Sequence, residues 1–230
     1  MLLYFFYTTL SLIVIFSFYN SYRTFKSWRT NKENKFAQVF TYSNFTFTLL
    51  IVLIWIVYVG QIFTKEILLF SLSLMVLGSA FTAYTLFLLK IPNINPRFGF
   101  IFILILGLII TVLFFSFPWE GVTVKEGGGI NLNLHPLVSV LTFVLFLITF
   151  FPLSIILFQK SRDFKDRTMK YKTLGLSAFL FLTFLLVFFR FAVEPFFEIK
   201  SAVSEIALGV VSFILIFVFL ITQRYYNKKN

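Results

Sequence analysis

The chain has 230 residues, 59% hydrophobic and only 13% charged, with a mean hydropathy of +0.93, which excludes a soluble domain with an ordinary polar surface. It has no cysteine, so disulfides, thiol catalysis and Cys-rich metal or iron–sulfur sites are excluded as well. The net charge of +11 is read as cytoplasmic loops meeting anionic lipid, not as a nucleic-acid surface.

Apolar runs of roughly 20 residues, enough for an α-helix to cross about 30 Å of hydrocarbon, fall at 2–19, 36–60, 67–89, 99–118, 136–158, 173–193 and 206–222. All are expected to be helices, because open sheet edges do not survive in lipid and the period-2 alternation of a barrel strand is missing. The expected fold is an all-α membrane protein, a seven-transmembrane helix bundle forming one integral membrane domain over 1–230. The first run lacks the basic n-region and cleavage site of a signal peptide, and a basic segment with Arg23, Lys26 and Arg29 follows it, so it is read as span one.

Span two opens polar, with Gln38, Thr41, Tyr42, Asn44 and Thr48, before turning to Leu, Ile and Val. Helical spacing places Thr41, Asn44 and Thr48 on one stripe suited to hydrogen bonding with a facing helix. The alternative is a solute path. Asn44-Phe45-Thr46 matches a glycosylation acceptor, but its place inside a span discounts it.

Between spans four and five lies the longest outer loop, PWEGVTVKEGGGINLNLHP, which alternates β-favouring residues around KEGGG and predicts a short β-hairpin capping the bundle. Its glycines are read as a turn, since no P-loop Lys-Ser/Thr follows. His135 is the sole histidine, which rules out a multi-histidine metal site. It is read as a cap or interfacial residue, with an outer-face pH or ligand sensor beside Glu120, Glu126, Glu194 and Glu198 as the alternative.

After span five comes a strongly basic loop containing Arg162, Lys165 and Arg167. Span six ends in FFRFAVEPFF, where Arg190 and Glu194 are four residues apart on one helix face and Pro195 stops the helix. One reading is an interfacial anchor with its guanidinium drawn to the headgroups. The other is a ligand-binding pair at an outer mouth that also takes in Trp119, His135, Glu198 and Glu205.

Sixteen of the 20 Lys and Arg residues fall in the loops after spans one, three, five and seven, so the N-terminus is expected outside and the C-terminus in the cytoplasm. Arg23, Lys26, Arg29, Arg162, Lys165 and Arg167 are then cytoplasmic basic contacts. A shift of 139 residues lays spans one to three on spans five to seven and Arg23-Thr24-Phe25-Lys26 on Arg162-Asp163-Phe164-Lys165. Two readings stay open: a three-plus-one-plus-three duplication, or evenly spaced helices aligning by chance. Mid-span carboxylates, a catalytic Ser/His/Asp set and nucleophile motifs are missing, so neither an enzyme nor a cofactor is expected.

The outside N-terminus, the loop PWEGVTVKEGGGINLNLHP, the basic loop QKSRDFKDRTMKYKTLG and the exit FLITQRYYNKK together resemble the seven-helix N-terminal sensor region of prokaryotic histidine kinases. The resemblance implies a sensor or receptor in a prokaryotic cytoplasmic membrane that signals through a cytoplasmic or membrane partner, or as a homo-oligomer. Because the chain stops eight residues after span seven, no kinase is expected within it. Small transporters with three-plus-one-plus-three helices are the alternative, although spans one and two lack the prolines of the SWEET group. A structural subunit of a membrane complex is the third reading. A cavity reaching mid-membrane and lined by Gln38, Tyr42 and Asn44 would point to transport; a dry centre with a pocket only at the outer face would point to sensing.

Overall fold

A computed structural model describes residues 2–30, 32–60, 62–90, 93–124 and 130–193, together with Val210 and Ile214. Among the described residues six α-helices carry the fold: α1 (Leu2–Thr30), α2 (Lys35–Gly60), α3 (Lys65–Lys90), α4 (Arg97–Ser116), α5 (Pro136–Asp163) and α6 (Arg167–Phe188). α6 runs on into a π-helical turn, Phe189–Val193. Among the described residues, five segments are long and apolar enough to cross a membrane, namely α2 to α5 and Met169–Val193. Of the seven expected runs, the first six are thus helical, while 206–222 lies outside the described residues apart from Val210 and Ile214.

Two helices outrun their apolar stretch. α1 continues through the basic segment to Thr30 and α5 through Lys160 and Arg162 to Asp163. Charge ends the part of a helix that suits hydrocarbon, but it does not end the helix, and neither extension contains a Gly or Pro to break it. The α-helix expected as far as residue 193 is corrected in the other direction: from Phe189 the ladder widens to π geometry.

Neighbours in sequence pack as neighbours in space, α1 on α2, α2 on α3, and α5 on α6, while α3 also holds α4 and α5. Ring contacts Trp28–Tyr42 at 5.8 Å, Tyr42–Phe81 at 5.6 Å and Phe81–Phe100 at 5.3 Å join one end of α1, α2, α3 and α4. That end carries the basic loops, so successive helices run in opposite directions. Aromatic rings gathered near charged helix ends suit the membrane–water interface. At mid-height Phe47 on α2 meets Phe146 and Phe150 on α5, with centroids 6.4 and 5.1 Å apart.

Between α4 and α5, β1 (Thr123–Val124) pairs antiparallel with β2 (Ile130–Asn131); the KEGGG turn expected between them falls outside the described residues. Gly121 (φ 86°) and Asn133 (φ 45°) occupy the left-handed region beside this ladder, which those two residue types tolerate best. The Asn133 side-chain amide closes the loop by donating to the Gly121 carbonyl at 3.0 Å.

α5 and α6 share a buried hydrogen bond, Ser177 Oγ donating to the Ser154 carbonyl at 2.7 Å, which that oxygen can accept on its second lone pair beside the bond within its own helix. Ser177→Ala is expected to lower unfolding stability in detergent by about 0.6 kcal/mol, with roughly 1.7 kcal/mol as a ceiling. A denaturant titration against the unchanged protein measures it.

Candidate functional site

The α1–α2 seam carries several polar contacts between helices. α1 presents Ser17, Asn20, Ser21 and Thr24 one turn apart, and α2 answers with Asn44 and Thr48. Thr48 Oγ1 lies 2.7 Å from Ser21 Oγ and donates to the Ser17 carbonyl at 3.2 Å. Asn20 Nδ2 donates to Asn44 Oδ1 at 3.4 Å, and Trp55 Nε1 donates to Ser11 Oγ at 2.9 Å. On the other side of α2, Ser43 Oγ approaches Thr82 Oγ1 at 3.0 Å and donates to the Gly78 carbonyl at 3.2 Å.

Of the stripe read from sequence, Asn44 and Thr48 therefore face α1, as interhelical packing requires. Thr41 is buried but bonds back to the Ala37 carbonyl of its own helix at 2.7 Å. Gln38 and Tyr42 bond to each other at 3.2 Å on the exposed side.

A cavity of about 1140 Å³ lies between α1, α2, α3, α5 and α6. Its upper end is bounded by Trp119, Leu132, Leu134 and Arg190, its middle includes Thr183, and Ser17, Asn20, Asn44 and Thr48 line its lower half. The lower end carries Arg23, Lys26 and Lys172. From Lys172 to Arg190 the wall rises about 27 Å at 1.5 Å per residue, close to the hydrocarbon thickness. Most of the remaining wall is Leu, Ile, Val and Phe.

Along α6 the lining residues step by three or four, Leu176, Leu180, Thr183 and Val187 among them, so Arg190 falls on the cavity face. Trp119 is held at the same end by its Nε1, which donates to the Leu132 carbonyl at 2.9 Å. The structure thus brings together Trp119 and Arg190 from the expected outer site. His135 lies apart: its Nδ1 accepts from the Leu137 amide at 3.3 Å, and its ring stacks on Phe117 at 3.6 Å. It caps α5 and does not line the cavity. Glu194, Glu198 and Glu205 lie outside the described residues. His135→Ala is expected to cost about 1 kcal/mol, as the loss of an N-cap does, and to speed hydrogen exchange at the Leu137 amide.

Among the basic contacts, Arg23 and Lys26 belong to the cavity wall. Arg29, Arg162, Lys165 and Arg167 are exposed beyond it, with the Arg162 guanidinium 4.8 Å from the Phe158 ring centroid. Sequence reasoning missed Asn20, Ser21 and Lys172 as parts of the site. The signal was present in SFYNSYRT, where Ser17, Asn20, Ser21 and Thr24 recur at helical spacing inside an apolar run.

Fold and cavity together define a helical membrane-embedded protein. No protein-family model, curated protein or solved structure matches the chain, so a functional reading rests on the cavity and on the placement of charge around it.

Proposed function

We propose that the protein is a receptor-like sensor of a prokaryotic cytoplasmic membrane, a seven-helix bundle with its N-terminus outside, its C-terminus inside and a β-hairpin over its outer end. A ligand occupying the central cavity is the stimulus. The observation that carries this reading is the continuity of one largely apolar cavity from Trp119 and Arg190 to Arg23, Lys26 and Lys172. A ligand there touches α1, α2, α3, α5 and α6 at once, so it can favour one arrangement of the helices over another, which is what signalling by population shift needs. The exposed basic loop bearing Arg162, Lys165 and Arg167 is the surface for a cytoplasmic partner or a second copy of the chain; nucleic acid has no part in it.

The cavity includes Asn44 and is not confined to the outer face, as a sensing pocket was expected to be, which favours a carrier, but it leaves out Gln38 and Tyr42 and its wall is mostly hydrocarbon. That balance supports binding over transport. Purified protein in liposomes is expected to show no saturable uptake of labelled sugars, amino acids or vitamins. Saturable uptake would replace the receptor by the transporter.

A further inference from the structure

The cavity's charge is one-sided. Arg23, Lys26, Lys172 and Arg190 line it, and no Asp or Glu does among the described residues. Three of these cations gather at the lower end, two from α1 and one from α6. One turn deeper, about 4.5 Å along α1 from Arg23, are Asn20 and its partner Asn44. The Asn44 Nδ2 is buried and donates to nothing among the described residues, and leaving such a donor unpaired costs about 1–3 kcal/mol. Deeper still the wall turns to hydrocarbon, with Ile13 and Phe16 on α1, Leu50 and Ile54 on α2, and Phe179 on α6.

Cation, then amide donor, then hydrocarbon, in that order and at that spacing, is the complement of a phospholipid: phosphate, then ester carbonyl, then acyl chain. We propose that the cavity holds one anionic diacyl phospholipid drawn from the cytoplasmic leaflet. Its phosphate is held by Arg23, Lys26 and Lys172, an ester carbonyl accepts from Asn44 Nδ2, and its chains lie along α1, α2 and α6. The volume suits it, because about 1140 Å³ exceeds the roughly 300–1,000 Å³ of ordinary small-molecule pockets. Bulk attraction of basic loops to an anionic leaflet needs no such layering, and it treats the exposed Lys32 and Lys35 at the same end like the lining cations.

This inference rests on the cavity being the ligand site. The test uses the full chain in nanodiscs of phosphatidylcholine doped with phosphatidylglycerol, extracted into mild detergent, with retained lipid counted by native mass spectrometry. About one phosphatidylglycerol per chain is expected to stay bound in preference to phosphatidylcholine. Arg23→Gln with Lys172→Gln is expected to cut phosphatidylglycerol retention at least about tenfold, equivalent to about 1.4 kcal/mol, with phosphatidylcholine unaffected. Lys32→Gln with Lys35→Gln is expected to leave retention unchanged. Asn44→Leu is expected to weaken both lipids alike, since both carry the ester. If the Arg23/Lys172 pair fails to fold, the exposed Lys26→Gln alone is expected to lower phosphatidylglycerol retention. Equal retention of the two lipids overturns the anionic class and leaves the receptor reading standing. An equal loss from the Lys32/Lys35 pair overturns the headgroup site. Retention of neither lipid overturns the proposal, and the uptake assay then decides the receptor reading separately.

Discussion

Thr183→Trp is expected to cut retention of the cavity's lipid at least about tenfold, a change of about 1.4 kcal/mol, while leaving thermal stability unchanged or raised. Thr183 lines the cavity from α6, and its hydroxyl bonds only within its own helix, to the Phe179 carbonyl at 2.9 Å. Nothing between helices is lost when it goes. An indole there occupies space that the acyl chains need, and filling an internal void adds packing contacts. Opposite effects on binding and on stability set a ligand cavity apart from a packing defect, in which both would improve or nothing would change. Thermal unfolding and lipid retention, measured on the same preparation, check it.

Gly107→Leu is expected to have the largest effect on the fold, at about 1–3 kcal/mol or somewhat more, because it strikes α4 where its backbone lies closest to α3. Gly99, Ile103, Gly107, Ile110 and Phe114 form its buried stripe, and the hydroxyls of Thr111 and Ser116 bond only within the helix. Among the described residues no hydrogen bond ties α4 to another helix, so close packing through small residues holds it. A Cβ on Gly107 would overlap the methyls of Val76, and one on Gly99 would come within 2.5 Å of the Phe87 ring. Val76 is β-branched and strongly prefers one rotamer in a helix, so α4 must move instead. Leu108→Ala, by contrast, alters a side chain that is 64% exposed and is expected to leave unfolding almost unchanged. Denaturant unfolding of the two variants side by side measures the difference.

The helices were legible because lipid leaves the backbone so few options, and the boundaries found for α2 and α3 lie within about two residues of the apolar runs. The extensions of α1 and α5 were not, since hydropathy reports where a helix suits lipid and not where its hydrogen bonds stop. The turn at Phe189 escaped as well: FFRFAV has nothing that separates π from α spacing. Within the site, Asn44 and Thr48 announced themselves as polar residues in an apolar setting. Their partners on α1 depended on which helices meet, and that is decided by packing across the whole bundle. Charge showed which end is basic, but not that Lys172 faces the cavity while Lys165 does not, because that depends on where α6 begins.

The absence of cysteine makes a single nitroxide the most direct probe of the central claim, that the cavity is a ligand site filled by hydrocarbon rather than an aqueous path. With the label on Thr183→Cys in nanodiscs, power-saturation electron paramagnetic resonance compares collisions with oxygen and with a water-soluble nickel chelate. High oxygen and low nickel accessibility are expected, with a label that becomes less mobile when phosphatidylglycerol is added and not when phosphatidylcholine is. Ready access for the nickel chelate, unchanged by either lipid, would contradict the claim.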